Sequence, residues 1–277
     1  MPSSFDLDAY LQRIGYRGPR SPTLDTLQAV HALHPAAIPF ENLNPLLGWP
    51  VALDIDSLQE KLVAGGRGGW CFEHNVLFRH ALEALGFTIT SLAARVVWNA
   101  PPGNPIGPRS HMLLRVDLEE TPYIADVGFG GNVLTGPLRL EPHIAQPTPH
   151  EPHRLMPLEN GFVLEACFNG EWKPLYRFTL EPQLPSDYEV SNWYLCNHPS
   201  SFFRQKLLGA RATPEGRYAL LNNALAIHRK DGTEKRDLTS AAALRSCLEA
   251  ELGIRLPESP ELTAALERIS QPPPPAA

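Results

Sequence analysis

Three side chains in this sequence have types and spacings that chemistry could use. They are Cys71 in RGGWCFEHN (67–75), His111 near the head of SHMLLRVDL (110–118) and Asp126 in YIADVGF (123–129). With a pKa of about 8.5, a free thiol is only a few per cent thiolate at neutral pH and attacks slowly. Cys71, however, opens CFEHNVLFRHALEALGF, where Phe72, Val76 and Arg79 form one helical line, Leu77, Ala81 and Leu85 the next, and Gly86 a stop. A helix N-terminus offers unpaired N–H groups and the positive end of a dipole, and Gly68 and Gly69 let backbone approach closely. The stretch therefore suits a nucleophilic thiolate; the alternative is an inert core cysteine.

A cysteine nucleophile needs a base, and the base needs an orienting group. Fourteen residues lie between His111 and Asp126. An antiparallel hairpin looping over Asp117 to Glu120 sets the two directly opposite, with Cβ atoms about 5 Å apart, so that the carboxylate holds the imidazole tautomer. A turn at Glu119, Glu120, Thr121 and Pro122 instead displaces the pair along the strands. Taken singly, His111 also reads as a satisfied core histidine and Asp126 as a turn cap.

These side chains need a scaffold, and the first third of the chain reads as helical. Ser3 with Asp6 resembles a capping box before FDLDAYLQRIG, PTLDTLQAVHALHP has Pro22 where a first turn accepts it, and Ser57 with Glu60 resembles a second box before LQEKLVAGG. Between the last two, AAIPFENLNPLLGWP reads as extended. From about residue 88 the period changes to two: TITSLAARVVW, SHMLLRVDL, YIADVGF, GFVLEACF and EWKPLYRFTL are strand candidates of a twisted sheet or small barrel. EPHIAQPTPHEPHR reads as a loop, ALAIHRKDGTEKRDL as a hairpin turning at Asp231 and Gly232, and TSAAALRSCLEAELGI as a helix from Thr239 or Ser240. The tail QPPPPAA is expected to be mobile, and no internal repeat is visible.

Composition narrows the class. With 277 residues, 43% hydrophobic and 19% charged, the chain can build one large core or two to three small units without staples. The start MPSSFDLDAYLQRIG has no basic or apolar leader and no run of eighteen apolar residues occurs, so a cytoplasmic protein without a membrane partner is expected. Cys71, Cys167, Cys196 and Cys247 lie far apart without a CxxC pair, which argues against disulfides and structural zinc. A net charge of −6 argues against general affinity for nucleic acid or anionic membrane, so an anionic ligand has to be met by a local basic cluster.

Set side by side, the three residues lie in a sequence that resembles the arylamine N-acetyltransferases. The matching blocks are IPFENL (38–43), RGGWCFEHN (67–75), SHMLLRV (110–116), ADVGFGG (125–131) and NWYLCNHPSSFF (192–203), in family order over about 165 residues. The resemblance implies that Cys71 is the acetyl acceptor, His111 its base and Asp126 the third member of the triad. It implies an α+β fold with a papain-like core: an N-terminal helical bundle (1–87), a middle β-barrel (88–195) and a C-terminal α/β lid (196–277). The implied reaction is a ping-pong transfer from acetyl-CoA, with no metal, to arylamines, arylhydrazines or N-hydroxyarylamines, by a monomer or homodimer. The chemistry suits these residues independently. Exchange between two thioesters is nearly balanced, so a good thiolate and a stabilised oxyanion suffice, and the amides near Cys71 are candidates for the second task.

The resemblance also implies binding residues. Phe40, Phe129 and Phe203 match aromatic positions of the acceptor pocket, with core packing as the other reading of each. Ser110, Gly130 and Gly131 stand where a pantetheine arm could pass. HRKDGTEKR (228–236) offers His228, Lys230 and Lys235 to the CoA phosphates, unless it is simply a solvated hairpin face. Trp70 stands where the family often has Tyr or Phe, and Cys196 with Asn197 where it often has Ser-Thr; Cys196 receives no role. Two other classes compete. A hydrolase or transglutaminase-like acyltransferase uses the same triad, although a signal, a pro-segment and a CGSCW motif are lacking for a secreted protease. A metal-binding module could use Cys71, His74, His143, His150 and His153, yet no second pair follows at zinc-finger spacing.

Overall fold

The computed structural model describes residues 5–101, 103 and 105–271, so Ser3 and residues 272–277 of the tail lie outside it. Asp6 caps α1 (Leu7–Ile14) by accepting the Ala9 N–H at 2.9 Å, and left-handed Gly15 closes it. Thr23 caps α2 (Leu24–Ala37), which leaves Pro22 just ahead of the helix. The stretch expected to be extended is so only over β1 (Phe40–Glu41). The Glu41 carboxylate then takes the Leu43 N–H at 2.6 Å, and α3 (Leu43–Leu47) begins. Likewise Asp54, not Ser57, caps α4 (Ile55–Leu58), because its carboxylate already holds the Ser57 N–H at 3.0 Å; a π-helical turn, Gln59–Ala64, follows. α5 (Cys71–Ala84) ends ahead of Gly86, whose φ is +90°. Tyr10, Leu27, Val30, Phe72 and Phe78 join these helices in one core.

The period-two region forms β2 (Thr88–Val96), β3 (His111–Leu118), β4 (Thr121–Ala125), β5 (Leu138–Arg139), β6 (His153–Leu158), β7 (Gly161–Phe168) and β8 (Glu171–Phe178). They make one antiparallel sheet in the order β5-β4-β3-β2-β8-β7-β6. The Pro- and His-rich stretch is more than a loop. Pro142 bridges to Leu155, Gln146 to His153, and the Gln146 side chain bonds both the N–H and the carbonyl of Arg139. It thereby stitches edge β5 towards edge β6 and leaves the sheet a nearly closed barrel. Alternation divides its faces: Leu92, Leu113, Ile124, Leu164 and Tyr176 fill the barrel, while Met112, Leu114 and Val116 pack on the helices.

After α6 (Pro185–Asn197) and α7 (Phe202–Gln205), the chain adds β9 (Leu208–Thr213), β10 (Gly216–Leu221), β11 (Ala224–Arg229) and β12 (Gly232–Asp237). Their sheet runs β1-β9-β10-β11-β12, so the short N-terminal strand belongs to the C-terminal sheet. Arg229 pairs with Gly232, which puts the hairpin turn at Lys230 and Asp231, one residue earlier than expected. Ser240 caps α8 (Ala241–Ser246), a π-helical turn follows, and α9 (Pro260–Ser270) completes the fold. Leu220, Leu225 and Ile227 pack on Leu244, Leu248 and Leu266. The architecture is α+β. No helix among the described residues is long and apolar enough to cross a membrane.

Candidate active site

His111 is the first residue of β3 and Asp126 the first beyond β4, so antiparallel pairing brings them to the same end of the barrel. The register differs from direct opposition. Leu118 pairs with Thr121 and Leu114 with Ala125, because a two-residue turn at Glu119 and Glu120, with Glu119 at φ +52°, replaces the longer loop. A slip of two residues keeps the face, and the pair becomes diagonal. His111 Nε2 sits 2.7 Å from Asp126 Oδ2.

The Asp126 carboxylate is completely buried and has four donors. His111 Nε2 and the Tyr176 hydroxyl (2.9 Å) reach Oδ2; Asn75 Nδ2 and the Gly128 N–H, each at 2.9 Å, reach Oδ1. Burial alone pushes such a carboxyl up, yet the charge and bonds of His111, with those of Asn75 and Gly128, hold it below the usual range. The ring responds in kind. Burial favours neutral imidazole, but the charge and hydrogen bond of Asp126, then those of Cys71, carry His111 up to about 10. With Nε2 occupied by Asp126, Nδ1 is the nitrogen left for the thiol.

Cys71 begins α5, is 5% exposed, and its thiol also lies 3.7 Å from the Ser110 carbonyl, so the Ser110 backbone meets the sulfur directly. The segment before it is tightly held. Glu73 reaches back to the Trp70 N–H at 3.0 Å and pairs with Lys61 at 2.6 Å, while Arg67 pairs with the fully buried Glu41 at 2.6 Å. A Cβ on Gly68 would fall 2.0 Å from the Pro39 carbonyl oxygen, and one on Gly128 would fall 2.7 Å from Cys71 Cα. Glycine at both places is what lets these backbones touch.

Asn75 and Tyr176 escaped the sequence reading. Asn75 lies one helical turn beyond Cys71 on the same face of α5, which is the signal that could have found it; it also donates to Met112 O at 2.8 Å and accepts the Val127 N–H at 3.2 Å. Tyr176 is an ordinary aromatic of a strand candidate and carries no such signal.

The aromatic candidates are all half-buried around this centre. Phe129 meets the His111 ring edge-on at 5.0 Å between centroids, Phe203 meets Trp70 at 5.1 Å, and Phe40 lies parallel to His74 at 6.3 Å. Gly130 and Gly131 form a 3-10 turn, Gly130–Asn132, pinned by buried Arg217. That side chain donates to Val133 O at 2.8 Å and pairs with Glu151 at 2.6 Å. Phe40, Ala210, Ala219, Ala226 and Lys235 are consecutive cross-strand partners of the five-stranded sheet, and His228 faces Thr233 two positions along, on the same face. A Cβ on Gly131 would touch Ala219 Cβ at 3.2 Å, so this small-residue face runs from the glycine turn out to Lys235 and His228. Lys230 sits in the hairpin turn, off that row.

Three of the four histidines of the metal reading have other partners. His74 bonds His34 and the Pro39 carbonyl, His150 bonds Thr135 and the Thr213 carbonyl, and His153 donates to Glu151 O. Among the described residues no three His, Cys, Asp or Glu side chains are arranged to hold a metal ion.

A thiol at a helix N-terminus, beside an imidazole paired with a buried carboxylate, is an arrangement that suits acyl transfer through cysteine. The comparisons narrow that class. A family model described as N-acetyltransferase matches residues 23–260. The arylamine N-acetyltransferase of Mycobacterium tuberculosis is 45% identical over 271 residues, 97% of this chain and 96% of that protein. The arylamine N-acetyltransferase / N-hydroxyarylamine O-acetyltransferase of Salmonella typhimurium is 40% identical over 250 residues, 90% of this chain and 88% of that one. Mycobacterium marinum arylamine N-acetyltransferase in complex with CoA superimposes with a TM-score of 0.92 at 42% identity, covering 95% of this chain and 99% of the other. The chain belongs to the arylamine N-acetyltransferase family.

Proposed function

We propose that the protein moves an acetyl group from acetyl-CoA to the nitrogen of arylamines or arylhydrazines, or to the oxygen of N-hydroxyarylamines, in two displacements through acetyl-Cys71. The carrying observation is the 2.7 Å contact of His111 with Asp126, which keeps a proton on the ring beside the thiol. The Cys71 thiolate attacks the thioester carbonyl. The carbon–sulfur bond to CoA breaks, and His111 gives its proton to the departing CoA sulfur. The amine, neutral at pH 7 because aromatic amines are weak bases, then attacks the acetyl carbon, His111 takes its proton, and Cys71 leaves as thiolate. Amides at the start of α5 supply the oxyanion site in both steps. Asp126 orients the ring and stabilises its charge.

Phe40, Phe129 and Phe203 are assigned to the flat acceptor. Ser110, Gly130 and Gly131 are assigned to the pantetheine arm, and His228, Lys235 and Lys230 to the CoA phosphates; the small-residue sheet face leading to the first two supports that path. The CoA complex of the Mycobacterium marinum relative supports the donor, and the name of the Salmonella relative supports O-transfer. The same reading gives the nucleophile to a helical unit (1–87), His111 and Asp126 to a barrel unit (88–195), and closure to a lid (196–277). It sets the chain in the reducing cytoplasm as a monomer or homodimer, with all four thiols free.

Intact-protein mass after brief exposure to acetyl-CoA tests this. Wild type is expected to gain one acetyl group that an arylamine discharges, and Cys71→Ala to gain none. No gain on freshly reduced wild type would remove acetyl-CoA as donor and bring the hydrolase reading forward.

A further inference from the structure

Helix α2 turns two histidines, His31 and His34, towards the site, and the triad gives neither a task. Both are completely buried, as is His74 one turn beyond Cys71. A buried polar ring is costly unless its nitrogens are bonded, so the partners are informative. The Pro39 carbonyl can only accept; His74 Nε2 therefore carries the proton and donates to it at 3.1 Å. The lone pair on His74 Nδ1 takes a bond from His34 Nε2–H at 2.8 Å, and His34 Nδ1 accepts from the Tyr10 hydroxyl at 2.8 Å. With neutral rings, which burial enforces, the chain has one direction, from Tyr10 to Pro39.

The chain ends against the Gly68 and Gly69 backbone that leads into Cys71. The Pro39 carbonyl also accepts the Gly69 N–H at 3.3 Å, and the next residue, Phe40, stacks parallel on the His74 ring. His31 serves the other side. The Asp126 backbone N–H donates to His31 Nε2 at 3.1 Å, which puts the His31 proton on Nδ1.

We propose that His31 and His34 are positioning residues through which α2 sets the two halves of the site separately. His31 fixes the Asp126 backbone, and with it the ring that acts in both displacements, while the Tyr10–His34–His74 chain fixes Pro39 and Phe40 for acceptor binding. The inference rests on the acetyl-Cys71 reading and adds a division of labour to it.

The two half-reactions, measured apart, test it. One is the rate of Cys71 acetylation without acceptor; the other is the acceptor dependence of discharge. His34→Leu is expected to raise acceptor KM about five- to tenfold while acetylation stays within about twofold; Tyr10→Phe is expected to do the same more weakly, and His34→Gln, which restores a donor to His74, to recover most of the loss. His31→Leu is expected to slow both acetylation and the maximal rate of discharge about five- to tenfold with acceptor KM unchanged. A His34→Leu variant that slows acetylation as much as it weakens acceptor binding, a His31→Leu variant that changes acceptor KM instead of the rates, or no effect of either, overturns the proposal. Histidine 15N shifts of wild type read the wiring without catalysis, so they stand even if acetyl-CoA fails as donor. At pH 7 they are expected to show Nε2–H tautomers for His34 and His74 and Nδ1–H for His31; an imidazolium or the reverse tautomer at any of the three overturns the proposal.

Discussion

At the scale of the residue, the state of His111 is a contest between burial, which favours the neutral ring, and Asp126, which favours the charged one. Asp126 wins because four donors fix both of its oxygens. Asp126→Asn keeps the shape and removes the charge, so burial is left as the larger influence and the ring falls from about 10 to below its ordinary 6.5. The charged ring beside the thiol is then absent at pH 7. Acetylation of Cys71 at that pH is expected to drop by about 10²- to 10⁴-fold. The pH dependence of Cys71 alkylation by iodoacetamide checks the cause. In wild type the ring holds its proton until the pH rises through about 10, whereas the variant is expected to lose that feature altogether. An unchanged alkylation profile would mean that Asp126 does not set the ring.

At the scale of the element, the start of α5 depends on charges as well as glycines. Glu41 has no solvent exposure, and burial works against its ionisation; Lys61 and Arg67 reverse that and hold its pKa below the usual range. Arg67→Ala removes the closer cation and leaves a buried carboxylate with Lys61 at 4.0 Å. A loss of about 3–5 kcal/mol is expected in urea unfolding, with Arg67→Lys recovering part of it. A loss below about 1 kcal/mol would class the pair with solvent-screened surface bridges. The same element shows what a sequence discloses. The helical spacing of CFEHNVLFRHALEALGF and the glycines before it put Cys71 at a helix start. The face shared by His111 and Asp126 was also readable, because parity survives a slip of two, but the register was not: it hangs on Glu119 adopting a left-handed conformation, which no pattern announces. Asn75 meets Asp126 across 51 residues of chain through the packing of α5 on β3, and Tyr176 across 50 through the curl of the sheet, contacts that only the folded chain creates. Strands β6, β9 and β10 were unread because Pro, Gly and Ala dilute their alternation, and their strand character comes from their neighbours.

At the scale of the whole molecule, the histidines fall into two groups whose effects on stability have opposite signs. Burial depresses His31, His74 and His153 to about 4, and His34 well below its ordinary value. Below pH 6.5 the unfolded chain binds protons that these rings refuse, so their contribution is present above 6.5 and lost as the pH falls towards 4. Each of the three contributes on the order of 3 kcal/mol to that loss by pH 4. His111 acts the other way. Its folded ring keeps a proton that the unfolded chain releases, so its contribution is full below 6.5 and lost as the pH rises through about 10. Maximum stability is therefore expected near pH 6.5, with the acid limb steeper, since several rings act there against one on the alkaline side. Because a domain commonly has only about 5–15 kcal/mol to lose, unfolding is expected before the pH reaches about 4. Urea midpoints taken from pH 4 to 10 give this profile, and His31→Leu should make the acid limb shallower by one proton. A flat midpoint between pH 6.5 and 4.5 would mean that the buried rings are already charged in the folded protein, and the one-way bonding of Tyr10, His34 and His74 could not then hold.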